Sequence, residues 1–94
     1  CAPADATRLA DALVERRVAA CVSQLPGVTS TYRWQGAVQH DPETLLLVKT
    51  PADRLDACVA VLRELHPYTV PEIVVLAADR VADGYLAWAV AETR

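Results

Sequence analysis

The side chains best suited to bind or transform a ligand are two histidines, His40 and His66, three cysteines, Cys1, Cys21 and Cys58, and Lys49. His66 ends an apolar helical pattern, directly before Pro67-Tyr68. An imidazole there either bonds the last helical carbonyls, at the negative end of the helix dipole, or offers a nitrogen to a borderline cation such as Cu(II). Cys21 and Cys58 lie beside apolar stripes, where thiols behave as small hydrophobes. Lys49 closes one apolar run and Glu72 opens another, so the two could meet in a cleft with Trp34, Tyr68 and Trp88 around them, or form an ion pair that shields strand ends. Tyr32 and Trp34, two positions apart, share one face of a strand. Their burial energy suits a core or a subunit interface, with a ligand cleft as the other reading. For catalysis the chain offers no Walker loop, GxGxxG, HExxH or nucleophile elbow. A Cys–His hydrolase would need a closeness and an orienting third group that spacing does not supply. The expectation is a protein that is not an enzyme.

Those residues need elements to position them. From Asp5 to Ala20, Leu9, Ala10, Leu13, Val14 and Val18 recur at helical spacing, and Asp5 is the expected cap. Cys21 to Leu25 reads as a strand, kinked at Pro26-Gly27 and resumed from Val28, with Val28, Ser30, Tyr32 and Trp34 on one face. Ala37 and Val38 continue this arm, His40 to Glu43 supplies turn chemistry, and Thr44 to Thr50 is apolar enough for a strand buried on both faces. Thr50-Pro51 then predicts a capped helix with Leu55, Val59, Leu62 and Leu65 inward, ended by Pro67. Glu72 to Ala78 reads as a β-branched strand, and Asp83-Gly84 opens a last helix.

This order is α+β. One more strand before the first helix would make it βαββαβ plus a C-terminal helix, the ferredoxin-like sandwich. Met is absent, and the expectation is a strand upstream of residue 1. In that architecture it would neighbour the strand at 72–78, whose backbone groups otherwise need another chain or a rearrangement.

At 94 residues the chain is one domain, 1–94, with a modest core. Its 53% hydrophobic content excludes an acidic disordered tail. A net charge of −3 gives no general attraction to nucleic acid or anionic lipid. No apolar run is long enough for membrane insertion as a spanning helix. Scattered cysteines without a CxxC indicate neither a disulfide framework nor a zinc ribbon, so a reducing cytoplasm is the expected location.

Three stretches, 13–22 (LVERRVAACV), 26–36 (PGVTSTYRWQG) and 64–73 (ELHPYTVPEI), with 46–50 (LLVKT) and 85–88 (YLAW) in order between and after them, resemble the CutA family of divalent-cation tolerance proteins. The resemblance covers nearly the whole chain. It implies a ferredoxin-like subunit in a homotrimer, similar in plan to PII signalling proteins, whose long hairpin arms pair across subunits. It also implies a role in tolerance of copper or another divalent cation. His66 is then the candidate metal ligand, with Cys1 near the place of the family's metal-associated cysteine. Copper-linked members carry a histidine pair before Pro-Tyr, and here Leu65 takes the first position, so one imidazole implies weak binding. The alternative is a PII-like binding module holding a small anion or a partner in its intersubunit clefts.

Overall fold

A computed structural model describes all 94 residues. In chain order it contains α1 (Pro3–Glu15), β1 (Cys21–Trp34), β2 (Ala37–Lys49), a 3-10 turn (Ala52–Arg54), α2 (Leu55–Leu65) and α3 (Asp83–Glu92). The fold is α+β, and its sheet is the antiparallel hairpin β1-β2.

The apolar stripe of α1 does what its period predicts: Ala6, Leu9, Ala10 and Leu13 are buried. The helix starts and ends differently from the expectation. Pro3 stands in its first turn with Ala2 as cap residue, while Asp5 pairs instead with the Arg8 guanidinium at 3.2 Å. Its last turn closes at Glu15, because Arg17 turns left-handed at φ 58. Arg17 N–H then donates to the Val14 carbonyl and Val18 N–H to the Leu13 carbonyl, both at 3.1 Å. This is the Schellman stop, with Val18 folded back onto Leu13, and an arginine holds the position glycine usually takes. Leu13, Val18, Ala19 and Cys58 form the centre of the core, with Val22, Val48, Val61 and Leu62 packed on it.

The hairpin is longer than the predicted strands. His40 to Glu43 do not turn; they lie within β2, and the reversal occurs at Gln35-Gly36. Those two residues take φ of 50 and 81, the consecutive left-handed values a tight two-residue hairpin loop requires. The kink expected at Pro26-Gly27 is a bulge, with the register shifting between Leu25 and Val28. Beyond it Val28, Ser30, Tyr32 and Trp34 face Glu43, Asp41, Gln39 and Ala37, as the alternation predicts.

The strand expected to be buried on both faces is buried on one within a single chain. Thr44 is covered, whereas Leu45 and Leu47 are exposed. Thr50 does not cap α2: its hydroxyl donates to the Val18 carbonyl at 2.7 Å, tying the hairpin root to the end of α1. Residues 72–78 form no strand. Their backbone makes no backbone hydrogen bond in this chain, and Leu76 is 87% exposed. The β-branched sequence sets a preference for extension there, and a strand needs a neighbour to become one.

Candidate functional site

One corner of the molecule gathers polar groups. Asp41 and Glu43, two positions apart on β2, face the same side of the hairpin as Tyr32. Tyr32 hydroxyl donates to the Asp41 carboxylate. That hydrogen bond, with smaller contributions from desolvation and the negative charge, pushes the phenol up to about 12. Tyr68 hydroxyl donates to Glu43 Oε2 at 3.4 Å, and the same oxygen lies 3.2 Å from the Cys1 nitrogen. Burial, then the proximity of the glutamate, raises the Tyr68 phenol.

His66 belongs to this corner. It leaves α2 with an extended backbone, donating its N–H to the Leu62 carbonyl at 2.8 Å. Its ring meets that of Tyr68 edge-on, with centroids 4.7 Å apart, and Nδ1 accepts the Tyr68 N–H at 3.2 Å. Burial holds the imidazole below its ordinary pKa. The ring is therefore neutral at neutral pH, with Nδ1 engaged and the proton on Nε2. A metal must compete with the Tyr68 amide for the free lone pair. Cys1 Sγ is turned toward the Thr44 carbonyl at 3.6 Å. His66 and Cys1 thus reach the same neighbourhood, yet no three His, Cys, Asp or Glu side chains are grouped to hold a metal ion. Within one chain the donor set falls short of a closed site.

The five residues grouped as a cleft disperse. Trp34 sits at the hairpin tip, 45% exposed. Lys49 stands at its root, opposite Cys21, with Nζ donating to Ser23 Oγ at 2.5 Å and to the Leu47 carbonyl at 3.1 Å. It has no carboxylate partner, so no pair with Glu72 forms within the chain. Trp88 stacks obliquely on Tyr85 at 5.6 Å and lines a groove of about 300 Å³ with Val14, Arg17 and Glu92. Tyr68 lines a different groove, beside Arg63, Val70 and Ile73. Tyr32, expected with Trp34 at an interface, keeps an exposed ring.

Asp41 and Glu43 are the members of this corner that the sequence reading missed. Placed in a turn they looked like solvent-facing turn chemistry; placed in a strand, two positions apart, they aim two carboxylates to one side. Cys58 is a core thiol, raised by desolvation. Cys21 is half-buried, less covered than expected, and lies against the Tyr85 phenol.

Residues 2–92 match the profile of the family described as CutA1 divalent ion tolerance protein. The divalent-cation tolerance protein CutA of Thermus thermophilus is 52% identical over 83 residues, spanning 88% of this chain and 81% of its own length. The chain spans 47% of the length of mouse Protein CutA, at 39% identity. Among solved structures, CutA of Xylella fastidiosa superposes with a TM-score of 0.93 at 41% identity, over 97% of this chain and 88% of its own. The PII-like protein CutA of Nostoc does so at 0.94 and 34%, over 99% and 90%. No helix here is long and apolar enough to cross a membrane. With the profile spanning nearly every residue and the fold shared with these structures, the chain belongs to the CutA1 divalent ion tolerance family.

Proposed function

We propose that this chain works in the cytoplasm as a homotrimeric, non-catalytic divalent-cation tolerance protein that takes up a copper-type cation weakly at the corner of His66 and Cys1. Membership of the tolerance family carries the reading. The trimer is supported by surface: the chain exposes 6548 Å², whereas a folded monomer of this mass exposes about 5,300 Å². The excess, about 1,200 Å², is more than the roughly 800 Å² one partner gives up on forming a standard interface. Trp34, Val38, Leu45 and Leu47 supply apolar surface on the arm and root to be covered. Copies meeting along their arms would place Tyr32 and Trp34 at the interface, and would draw Trp34, Lys49, Tyr68, Glu72 and Trp88 from different chains into shared clefts.

Weak uptake follows from the chemistry of the donors. His66 offers one nitrogen already bonded to an amide, and further ligands have to come from Cys1 or from another copy. A second reading, a small-anion site at the clefts, is favoured by one observation: Lys49 ends the hairpin with an ammonium held by neutral oxygens alone. Calorimetry on the assembled protein separates the two. Heat of Cu²⁺ binding that disappears in His66→Ala and persists in Lys49→Ala supports the first. Copper heat unchanged by His66→Ala, with phosphate binding lost in Lys49→Ala, replaces it with the second.

A further inference from the structure

The last turns of α1 and α3 wall a groove of about 300 Å³. Val14, Glu15 and Arg17 line it from the end of α1, Trp88 and Glu92 line it from α3, and the buried residues Ala19 and Ala20 close it beneath. Val14 is 43% exposed and Trp88 45%, so the walls carry apolar surface that the chain does not cover. Tyr85, three residues before Trp88 on α3, holds the indole in a tilted pair at 5.6 Å. The groove shares no residue with the corner of His66, and a single chain supplies all of its walls.

The charges here run against the helices that carry them. A helix ends in partial negative charge, which favours a cation in the last turn and disfavours a carboxylate. Glu15 is the last residue of α1 and Glu92 the last of α3, and neither helix has a basic residue in its last turn. The two arginines that follow α1 are engaged. Arg16 pairs with Glu64 at 3.1 Å, and Arg17 reaches the Glu92 carboxylate at 3.8 Å and the Glu92 carbonyl at 3.3 Å. Glu92 is thereby answered, whereas Glu15 has no ion-pair partner. Two carboxylates and two helix C-termini against one guanidinium leave the groove short of positive charge. A local rule broken with no structural gain, beside an exposed indole, points to function.

A bare metal ion finds too few donors in this groove, since no three His, Cys, Asp or Glu side chains are grouped to hold one. An organic cation finds a carboxylate for its charged head and an indole face for its body. We propose that the groove between the ends of α1 and α3 binds a small organic ammonium ion. Its head donates to the Glu15 carboxylate, and its apolar body lies against Trp88 and Val14. A primary ammonium suits the site best, because its N–H groups form charge-assisted hydrogen bonds with a carboxylate. The volume is at the low end for small-molecule sites, which selects a compact ligand. Arg17, by holding Glu92, leaves Glu15 as the group that recognises the charge.

Titration of the whole chain with benzylammonium, followed by NMR at the Trp88 indole N–H, tests this, with benzyl alcohol as a probe of the same shape and no charge. Trp88→Phe identifies the resonance. Benzylammonium is expected to shift it saturably and to bind about fivefold or more tighter than benzyl alcohol. Glu15→Gln, a change at an exposed position that keeps the shape of the side chain, should bring benzylammonium down to the level of the alcohol and leave the alcohol unchanged. Equal affinity for the two probes overturns the proposal, as does undiminished benzylammonium binding in Glu15→Gln. A Trp88 resonance that moves on dilution without any probe overturns it too, since a second copy would then fill the groove. None of these readouts depends on metal, so failure here leaves the reading of the His66 corner standing, and failure of copper binding leaves this one.

Discussion

The root of the hairpin and its tip are built from the same two strands, and they solve burial in opposite ways. At the root, Val22 and Val48 rest on Leu13, Val18, Ala19 and Cys58, and side chains from α1, α2 and both strands meet in one cluster. Toward the tip, Trp34, Tyr32 and Val38 carry large apolar groups that nothing in the chain covers. Backbone pairing runs through both regions, from Cys21↔Lys49 to Trp34↔Ala37, interrupted only by the bulge between Leu25 and Val28. Hydrogen bonds therefore do not distinguish them. What differs is side-chain cover, and an isolated two-stranded ribbon is marginal in water without it. The root is stabilised by this chain; the tip is left with its large apolar groups half in water.

That contrast can be broken from either side. Leu13 is 0% exposed at the centre of the root, and Leu13→Ala is expected to cost about 3 kcal/mol through lost burial and the cavity left behind. Urea unfolding should show a lower midpoint whatever the protein concentration. Trp34→Ala is expected to act on assembly, weakening it by about 2 kcal/mol or more per contact as a central aromatic does. Light scattering should then report smaller particles at micromolar concentration. An intact assembly in Trp34→Ala would show that the tip is not where copies meet.

The corner of His66 sharpens the comparison by pH, since it joins the end of α2 to the middle of the arm. Its imidazole is held below the ordinary value near 6.5. The unfolded chain therefore binds the proton first as pH falls. The stability that the neutral ring contributes is complete above 6.5 and is lost as pH drops through 6.5 toward the lowered folded value. Thermal melts from pH 7.5 to 5 should show a descending component that His66→Gln removes. A descent equally steep in His66→Gln would assign it to other groups.

Much of the root was legible in the sequence, and the reasons are local. The stripe of α1 repeats with the period of a helix, and the residues from Val28 to Trp34 alternate with the period of a strand; each pattern needs only its own side chains to be read. The turn was misplaced because His40-Asp41-Pro42-Glu43 has turn chemistry. Pro42 is nevertheless tolerated in β2, because its missing N–H would have pointed off the sheet. The strand expected at 72–78 failed for the opposite reason: its composition is right, and strand formation depends on a neighbour that composition does not supply. Glu43 was invisible as a site residue until the turn moved. The link between Glu43, Cys1 and Tyr68 spans distances along the chain that no short motif encodes.

Arg17 gives the smallest effect and the cleanest test of how the root is closed. Its φ of 58 lies where a side chain with a Cβ is strained by about 1 kcal/mol, and the Schellman bonds it makes use backbone atoms alone. Its guanidinium adds an exposed 3.8 Å contact to the Glu92 carboxylate and a 3.3 Å hydrogen bond to the Glu92 carbonyl, exposed interactions of a kind that contribute little in water. Arg54 donates to the Arg17 carbonyl at 3.3 Å, which any residue retains. Arg17→Gly removes the strain and widens the conformational freedom of the unfolded chain, two effects of opposite sign. The expected net is a gain of about 0.5 kcal/mol, read as a small rise in the urea midpoint with no change in assembly. A loss of stability would mean that the guanidinium, through Glu92, holds α3 against the end of α1 more firmly than its exposure suggests. The double variant Arg17→Gly, Glu92→Gln would then show no further loss.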